Sequence, residues 1–311
     1  MKTTFRIGTR GSRLALWQTE WVQARLTERF PALTFEVAVI HTTGDKILDV
    51  PLARIGDKGL FTREIDRAML QGEIDLAVHS LKDLPSRLDA GIALGATPVR
   101  EEPWDAWVSS DHADLASVPQ GAVVLTGSLR RRAQLLHLRP DLQVRDLRGN
   151  VQTRLARIAE PGVAGGVLAL AGLKRMGEAA RARAVLGLAT FVPAVGQGAI
   201  GITARPDDAT AMGLLAAIDD PAVRLAVEGE RGFLFEMEGG CQVPMGCFGR
   251  LDGDRLHLTA FVASLDGTRH LRDEAEGPAA EGRELGRALA GRLLQRGARD
   301  VLADIRASDP A

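Results

Sequence analysis

The sequence predicts an α/β protein of several domains that ends in a separate, smaller α+β domain. Three observations predict it. Strand, loop and helix patterns recur in that order through the first two thirds of the chain, the signature of mainly parallel sheets. The length of 311 residues is about twice that of a typical domain. After Pro221 the pattern changes to strict alternation punctuated by hairpin turns.

Phe5 to Thr9 alternates like a short strand, and Ser12 stands at an N-cap position ahead of Leu14, Trp17, Trp21 and Ala24 at helical spacing. Val37 to His41 reads as a second strand. Thr42 to Gly59 is rich in Gly, Asp and Pro and reads as a long mobile loop. Thr62 to Gln71 is helical in pattern. The apolar run Ile74 to Val78 then delivers His79, Ser80, Leu81, Lys82 and Asp83 at the C-terminal end of a strand, where open α/β sheets place ligands.

A change of segment falls at Pro98 to Pro103. Beyond it, strand Ala122 to Thr126 leads to Ser128 and a helix, and strand Val144 to Leu147 leads to Asn150 and a helix with Val151, Leu155 and Ile158 on one face. Gly166 to Ala171 reads as a further buried strand, and Phe191 to Gly198 as a loop that carries the chain back toward the first domain. In the last part Leu256, Leu258, Ala260 and Val262 alternate, Asp252-Gly253 and Asp266-Gly267 mark turns, and Leu285, Leu289 and Leu293 mark a long amphipathic helix. The expected fold is three domains: 1–98 plus 199–216, 104–192, and 221–311, the third an α+β domain with an antiparallel three-stranded sheet.

Composition narrows the function. Apolar residues at 45% and charged residues at 25% are ordinary globular values that exclude disorder, collagen-like repeats and a disulfide scaffold. The longest nearly uninterrupted apolar run, Gly162 to Leu173, has about twelve residues where roughly twenty span a bilayer. Arg6 and Arg10 fall where a signal peptide needs its apolar stretch. A cytoplasmic protein without a membrane partner is expected, with a monomer as the default. Cys241 and Cys247 are the only cysteines, and His41 and His79 lack a second ligand at a metal spacing, so no metal site is expected.

Net charge is −1, yet residues 126–157 hold eight arginines against only Asp141 and Asp146. Nucleic acid is a poor fit to this stretch, which has no Phe, Trp or Tyr to stack on bases. Small polycarboxylates or phosphates fit better. Four cationic segments follow expected strands or open expected helices: Thr9-Arg10-Gly11-Ser12, Thr126 to Arg132, Arg148-Gly149-Asn150 with Arg154, and Lys174-Arg175. Helix N-termini and arginine forks both grip carboxylate or phosphate.

For any single arginine, a solvated helix face is the commoner explanation. Arg130 and Arg131 together differ, because cations at a helix N-terminus cost roughly 0.3 to 1 kcal/mol each. Charge-assisted hydrogen bonds of about 1.5 to 3 kcal/mol to a compensating anion would outweigh that. Asp83 should be ionised at neutral pH, ready to stabilise a cation or relay a proton, unless it is a cap or an ion-pair partner. Cys241 lies in Glu238-Gly239-Gly240-Cys241-Gln242-Val243-Pro244, where flanking glycines suit an accessible nucleophile. An inert buried thiol suits that spacing equally well.

Taken together, the motifs resemble those of the hydroxymethylbilane synthase (porphobilinogen deaminase) family nearly end to end. They are Ile7 to Ala15, Gly44-Asp45, Lys58-Gly59-Leu60-Phe61, Ala77 to Pro85, Ser128 to Arg131, Leu147 to Val151, Ala169 to Arg175, Pro193 to Gly198, and Glu238 to Pro244. The resemblance implies first and second domains like the halves of a type II periplasmic binding protein, with the chain crossing between them twice. It also implies a dipyrromethane cofactor held by a thioether at Cys241, onto which four porphobilinogens are polymerised head to tail with loss of ammonia. The product, hydroxymethylbilane, feeds haem and other tetrapyrrole synthesis.

By the same resemblance Asp83 is the catalytic carboxylate, at a step where ammonia leaves to give an electrophilic azafulvene. Asp83 itself, Lys82, Ser128, Arg130 and Arg131 would bind the cofactor, and Arg10, Ser12, Arg148, Arg154 and Arg175 the substrate carboxylates. Lys58 and Phe61 would belong to a lid. Two positions depart from the family pattern: Gly127, where a serine is common, and Asp57, where a glycine is common.

Overall fold

The computed structural model describes residues 2–43, 62–237 and 243–307. Asp57, Lys58, Phe61 and Cys241 lie outside the described residues. Among the described residues the chain passes between two compact units at Glu101/Glu102, Gln197/Gly198 and Arg224/Leu225.

The first unit is built on a sheet of β1 (Thr4–Thr9), β2 (Thr34–Val39), β3 (Leu76–Ser80), β4 (Ala93–Ala96) and a strand from much later in the chain, β10 (Ile200–Ala204). Their order is β2-β1-β3-β10-β4. β1 pairs in parallel with β2 and β3, whereas β10 runs antiparallel to both β3 and β4. β3 and β10 are buried along nearly their whole length, as central strands covered on both faces must be. Helix Arg13–Arg29 packs Val22 and Leu26 on one face, and helix Arg63–Leu70 packs Ile65, Ala68 and Met69 on the other.

The second unit holds two sheets. One comprises β5 (Asp105–Val108), β6 (Val123–Leu125), β7 (Gln143–Arg145), β8 (Val163–Ala169) and β9 (Ala182–Leu186), in the order β7-β6-β8-β5-β9. β6 is parallel to β7 and β8, and β5 is antiparallel to β8 and β9. Position by position this repeats the first sheet, including one reversed strand in fourth place. The recurring strand, loop and helix pattern implies mainly parallel sheets, and the one reversed strand in each sheet is the exception. β5 and β10 enter directly from the passages between units, free of the helical crossover that makes neighbours parallel.

The third sheet, β11 (Met245–Asp252), β12 (Arg255–Ala263) and β13 (His270–Pro278), is an antiparallel meander. Its inner face packs Cys247, Leu256, Leu258, Ala260 and Val262 against Phe233 of helix Pro221–Glu236 and Leu289 and Leu293 of helix Gly282–Leu293. Each such leucine contributes roughly 1.5 to 3 kcal/mol. The alternation of β12 would leave its other face to solvent. Instead Phe261 and Ala263 pack against Ala133 and Val192.

Gly267 makes this docking close. At φ 72° it occupies the left-handed region, and a Cβ there would collide with the backbone of Ala133 and His137. No helix among the described residues is long and apolar enough to cross a membrane.

Candidate active site

In the first unit, β1 and β3 are parallel neighbours, with Ile7 opposite Leu76 and Gly8 opposite Ala77, so the segments leaving their C-terminal ends are adjacent. One carries Arg10 and Ser12, and the other is the 3-10 turn Leu81–Asp83 with Lys82 and Asp83. The expected residues of this unit therefore come together at one sheet edge. Ser12 Oγ accepts the Ala15 N–H at 3.3 Å and caps helix Arg13–Arg29. Buried Leu81 and Leu84 pin the turn from either side, leaving Lys82 and Asp83 half-buried between them.

Behind the turn His79 is buried, its Nε2 3.2 Å from Thr203 Oγ1. Burial, helped by the charge of Arg10, pushes its pKa down to about 4, so the imidazole is neutral at pH 7. Beside it lies a residue that the sequence reading passed over. Gln18 is 1% exposed, its Oε1 accepts the Ser80 hydroxyl at 3.1 Å, and its Nε2 is buried with no hydrogen-bond partner among the described residues. An unmade bond of this kind costs about 1 to 3 kcal/mol, and a buried donor left open is the natural contact for a ligand. The signal was in the sequence: Gln18 lies on the i, i+4 stripe of Val22 and Leu26, a face that is otherwise core.

In the second unit the expected arginines follow three adjacent parallel strands. Ser128, Arg130 and Arg131 come after β6, Arg148 and Arg154 after β7, and Arg175 after β8 in helix Leu170–Arg175. Ser128 Oγ accepts the Arg131 N–H at 3.4 Å and Asn150 Oδ1 the Thr153 N–H at 3.0 Å, capping their helices. Arg148 Nε reaches Asp146 at 3.1 Å, Arg154 Nε donates to the Gly149 carbonyl at 2.7 Å, and Arg175 is buried.

The anion beside Arg130 and Arg131 belongs to the chain itself. Asp105, the first residue of β5, accepts from Arg130 Nη1 at 2.7 Å and Nη2 at 3.1 Å and from Arg131 Nε at 2.8 Å. All three side chains are at most 6% exposed. Burial raises a carboxyl pKa, but here the two guanidinium charges and their hydrogen bonds prevail and hold Asp105 well below the usual carboxylate range. Gln197 completes the cluster, its Nε2 donating to Asp105 at 2.9 Å and to the Pro103 carbonyl at 2.7 Å. A lone acid opening the apolar run Asp105-Ala106-Trp107-Val108 was the sequence signal for this pairing.

The departure at Gly127 has a local cause. A Cβ there would lie well inside van der Waals contact of the Leu147 carbonyl oxygen, so the backbone of the segment after β7 occupies the place a serine side chain would need.

Two family models cover the chain: porphobilinogen deaminase, dipyromethane cofactor binding domain, over residues 5–213, and porphobilinogen deaminase, C-terminal domain, over residues 224–295. The chain belongs to the porphobilinogen deaminase family. Among curated members of that family, the porphobilinogen deaminase of Desulforudis audaxviator is 53% identical over 301 residues, 97% of each chain. That of Geobacter metallireducens is 48% identical over 300 residues, covering 96% of this chain and 94% of the relative. That of Desulforamulus reducens is 46% identical over 309 residues, covering 99% and 100%. The family's dipyrromethane is a polycarboxylate bearing pyrrole N–H groups. Within the second unit, arginines at successive strand ends are donors of the kind its carboxylates require.

Proposed function

We propose that this chain joins four porphobilinogens head to tail, with loss of ammonia, on a dipyrromethane held by Cys241, and releases hydroxymethylbilane. The match to both family models over nearly the whole chain carries the reading. When bound, the dipyrromethane supplies the free pyrrole α-carbon that attacks the incoming substrate.

The chain's own residues do the rest. Asp83, in the turn that follows β3, accepts the pyrrole N–H, stabilises positive charge on the ring nitrogen as ammonia leaves, and assists proton transfer. Arg10, Ser12, Lys82, Ser128, Arg130, Arg131, Arg148, Arg154 and Arg175 hold the acetate and propionate groups. Lys58 and Phe61 exclude water from the reacting carbon. The neutral His79 beneath the turn adds no competing charge. The reading carries with it a cytoplasmic monomer acting on a small molecule, with domains 1–98 plus 199–216, 104–192 and 221–311.

Intact mass of the purified protein, with peptide mapping around Cys241, tests it. An excess equal to two porphobilinogens less two ammonias, localised to Cys241, is the expected result. A bare chain mass that is unchanged after incubation with porphobilinogen rejects the reading and favours a solute-binding role for the same fold.

A further inference from the structure

We propose that Asp105 is a positioning residue that pre-organises Arg130 and Arg131 for carboxylate binding. This rests on the functional reading above. Two guanidinium groups at consecutive positions in the first turn of helix Leu129–Leu138 repel each other and the positive end of the helix. Asp105 draws both onto one carboxylate. Arg130 is then fixed by four contacts: both Asp105 oxygens, the Val192 carbonyl at 2.7 Å and Gln197 Oε1 at 3.5 Å. Arg131 is fixed by Asp105, the Val167 carbonyl at 3.2 Å and Gln197 Oε1 at 3.4 Å.

The rotamers are thus set before any ligand arrives, so binding need not freeze two long side chains. One carboxylate against two cations also leaves the cluster with a surplus positive charge, the sign that an acidic ligand requires.

The geometry makes the consequences of substitution specific. In Asp105→Asn, the oxygen that meets Arg131 and Gln197 can be kept, but the amide NH2 then faces Arg130 Nη1, donor against donor. Arg130 loses its place. Gln197→Glu would return a carboxylate at 3.4 to 3.5 Å from both Nη2 atoms.

The test uses the purified full-length protein with three readouts: cofactor occupancy by intact mass, kinetics on porphobilinogen and melting temperature. The wild-type mass separates the two claims, because a wild type without bound pyrroles defeats the functional reading itself. With the wild type loaded, Asp105→Asn should show occupancy below half and a KM raised about tenfold, with kcat within about threefold. The double variant Asp105→Asn, Gln197→Glu should recover KM to within about threefold. Wild-type occupancy and KM in Asp105→Asn overturn the proposal, as does a double variant that melts like the wild type without recovering KM. Should Asp105→Asn fail to fold, the double variant alone decides: folded with recovered KM supports positioning, and unfolded or unrecovered overturns it.

Discussion

Gln18 on helix Arg13–Arg29 and Ser80 at the end of β3 are joined by a 3.1 Å hydrogen bond that uses the amide oxygen of Gln18 and leaves its buried nitrogen without a partner among the described residues. The bond orients the open N–H donors next to the strand end that leads into Asp83. Gln18→Met keeps the volume and removes the donors. Its melting temperature should equal or exceed that of the wild type, because an unsatisfied buried amide is gone. KM for porphobilinogen should rise about three- to tenfold. A lowered melting temperature with unchanged KM would make Gln18 a purely structural residue.

Asp83→Asn retains the size of the side chain in a turn anchored by Leu81 and Leu84, so folding and covalent loading should persist. Turnover should fall by about a hundredfold or more, the usual weight of a positioned acid or base. Steady-state rates on protein of verified mass are the check, and near-wild-type turnover would remove Asp83 from the mechanism.

The pH dependence of stability should carry the mark of His79. Its folded pKa of about 4 lies below its ordinary value of 6.5, so between those values the unfolded chain holds the extra proton. Stability from this residue is therefore complete above about pH 6.5 and is lost as pH falls toward 4, by on the order of 3 kcal/mol. Urea unfolding at pH 7, 5.5 and 4.5 measures it. His79→Gln should flatten the slope in that window, and an unchanged slope would locate the acid sensitivity elsewhere.

Gly127→Ser would restore the commoner family residue at a point where this backbone has closed in. Overpacking against the Leu147 carbonyl should destabilise the protein by about 1 to 3 kcal/mol. Calorimetry showing no loss of melting temperature would mean that the segment after β7 yields freely.

Much of this was legible in the sequence, and what was not has a common physical origin. Ser12, Ser128 and Asn150 announced their helices because capping is a local act between residues three apart. Leu81 to Asp83 could be placed at a strand end because the segment before it, Leu76-Ala77-Val78, is apolar. Strands β4, β5, β9 and β10 carried no such local signal. They are only four or five residues long and become strands by pairing with partners far along the chain. Two cations at the start of that helix call for a compensating anion, which in the sequence points to a ligand carboxylate; the structure supplies one from within the chain, at Asp105. Asp105 is 25 residues away from Arg130 in sequence and is brought to it by the reversed strand β5.

The place of β10 also bears on how the protein is made. β10 is the strand between β3 and β4, so a nascent chain that has emerged only as far as Glu101 has every other strand of its first sheet but not the one that joins them. β4 must wait for roughly a hundred further residues, several seconds of synthesis at about 5 to 20 residues per second. During that wait the second five-stranded sheet, whose strands all lie within Asp105–Leu186, can assemble without help from the rest. The N-terminal unit is thus first to be synthesised and later to be completed. Its unpaired edges at β3 and β4 are where a holding chaperone would be expected to act.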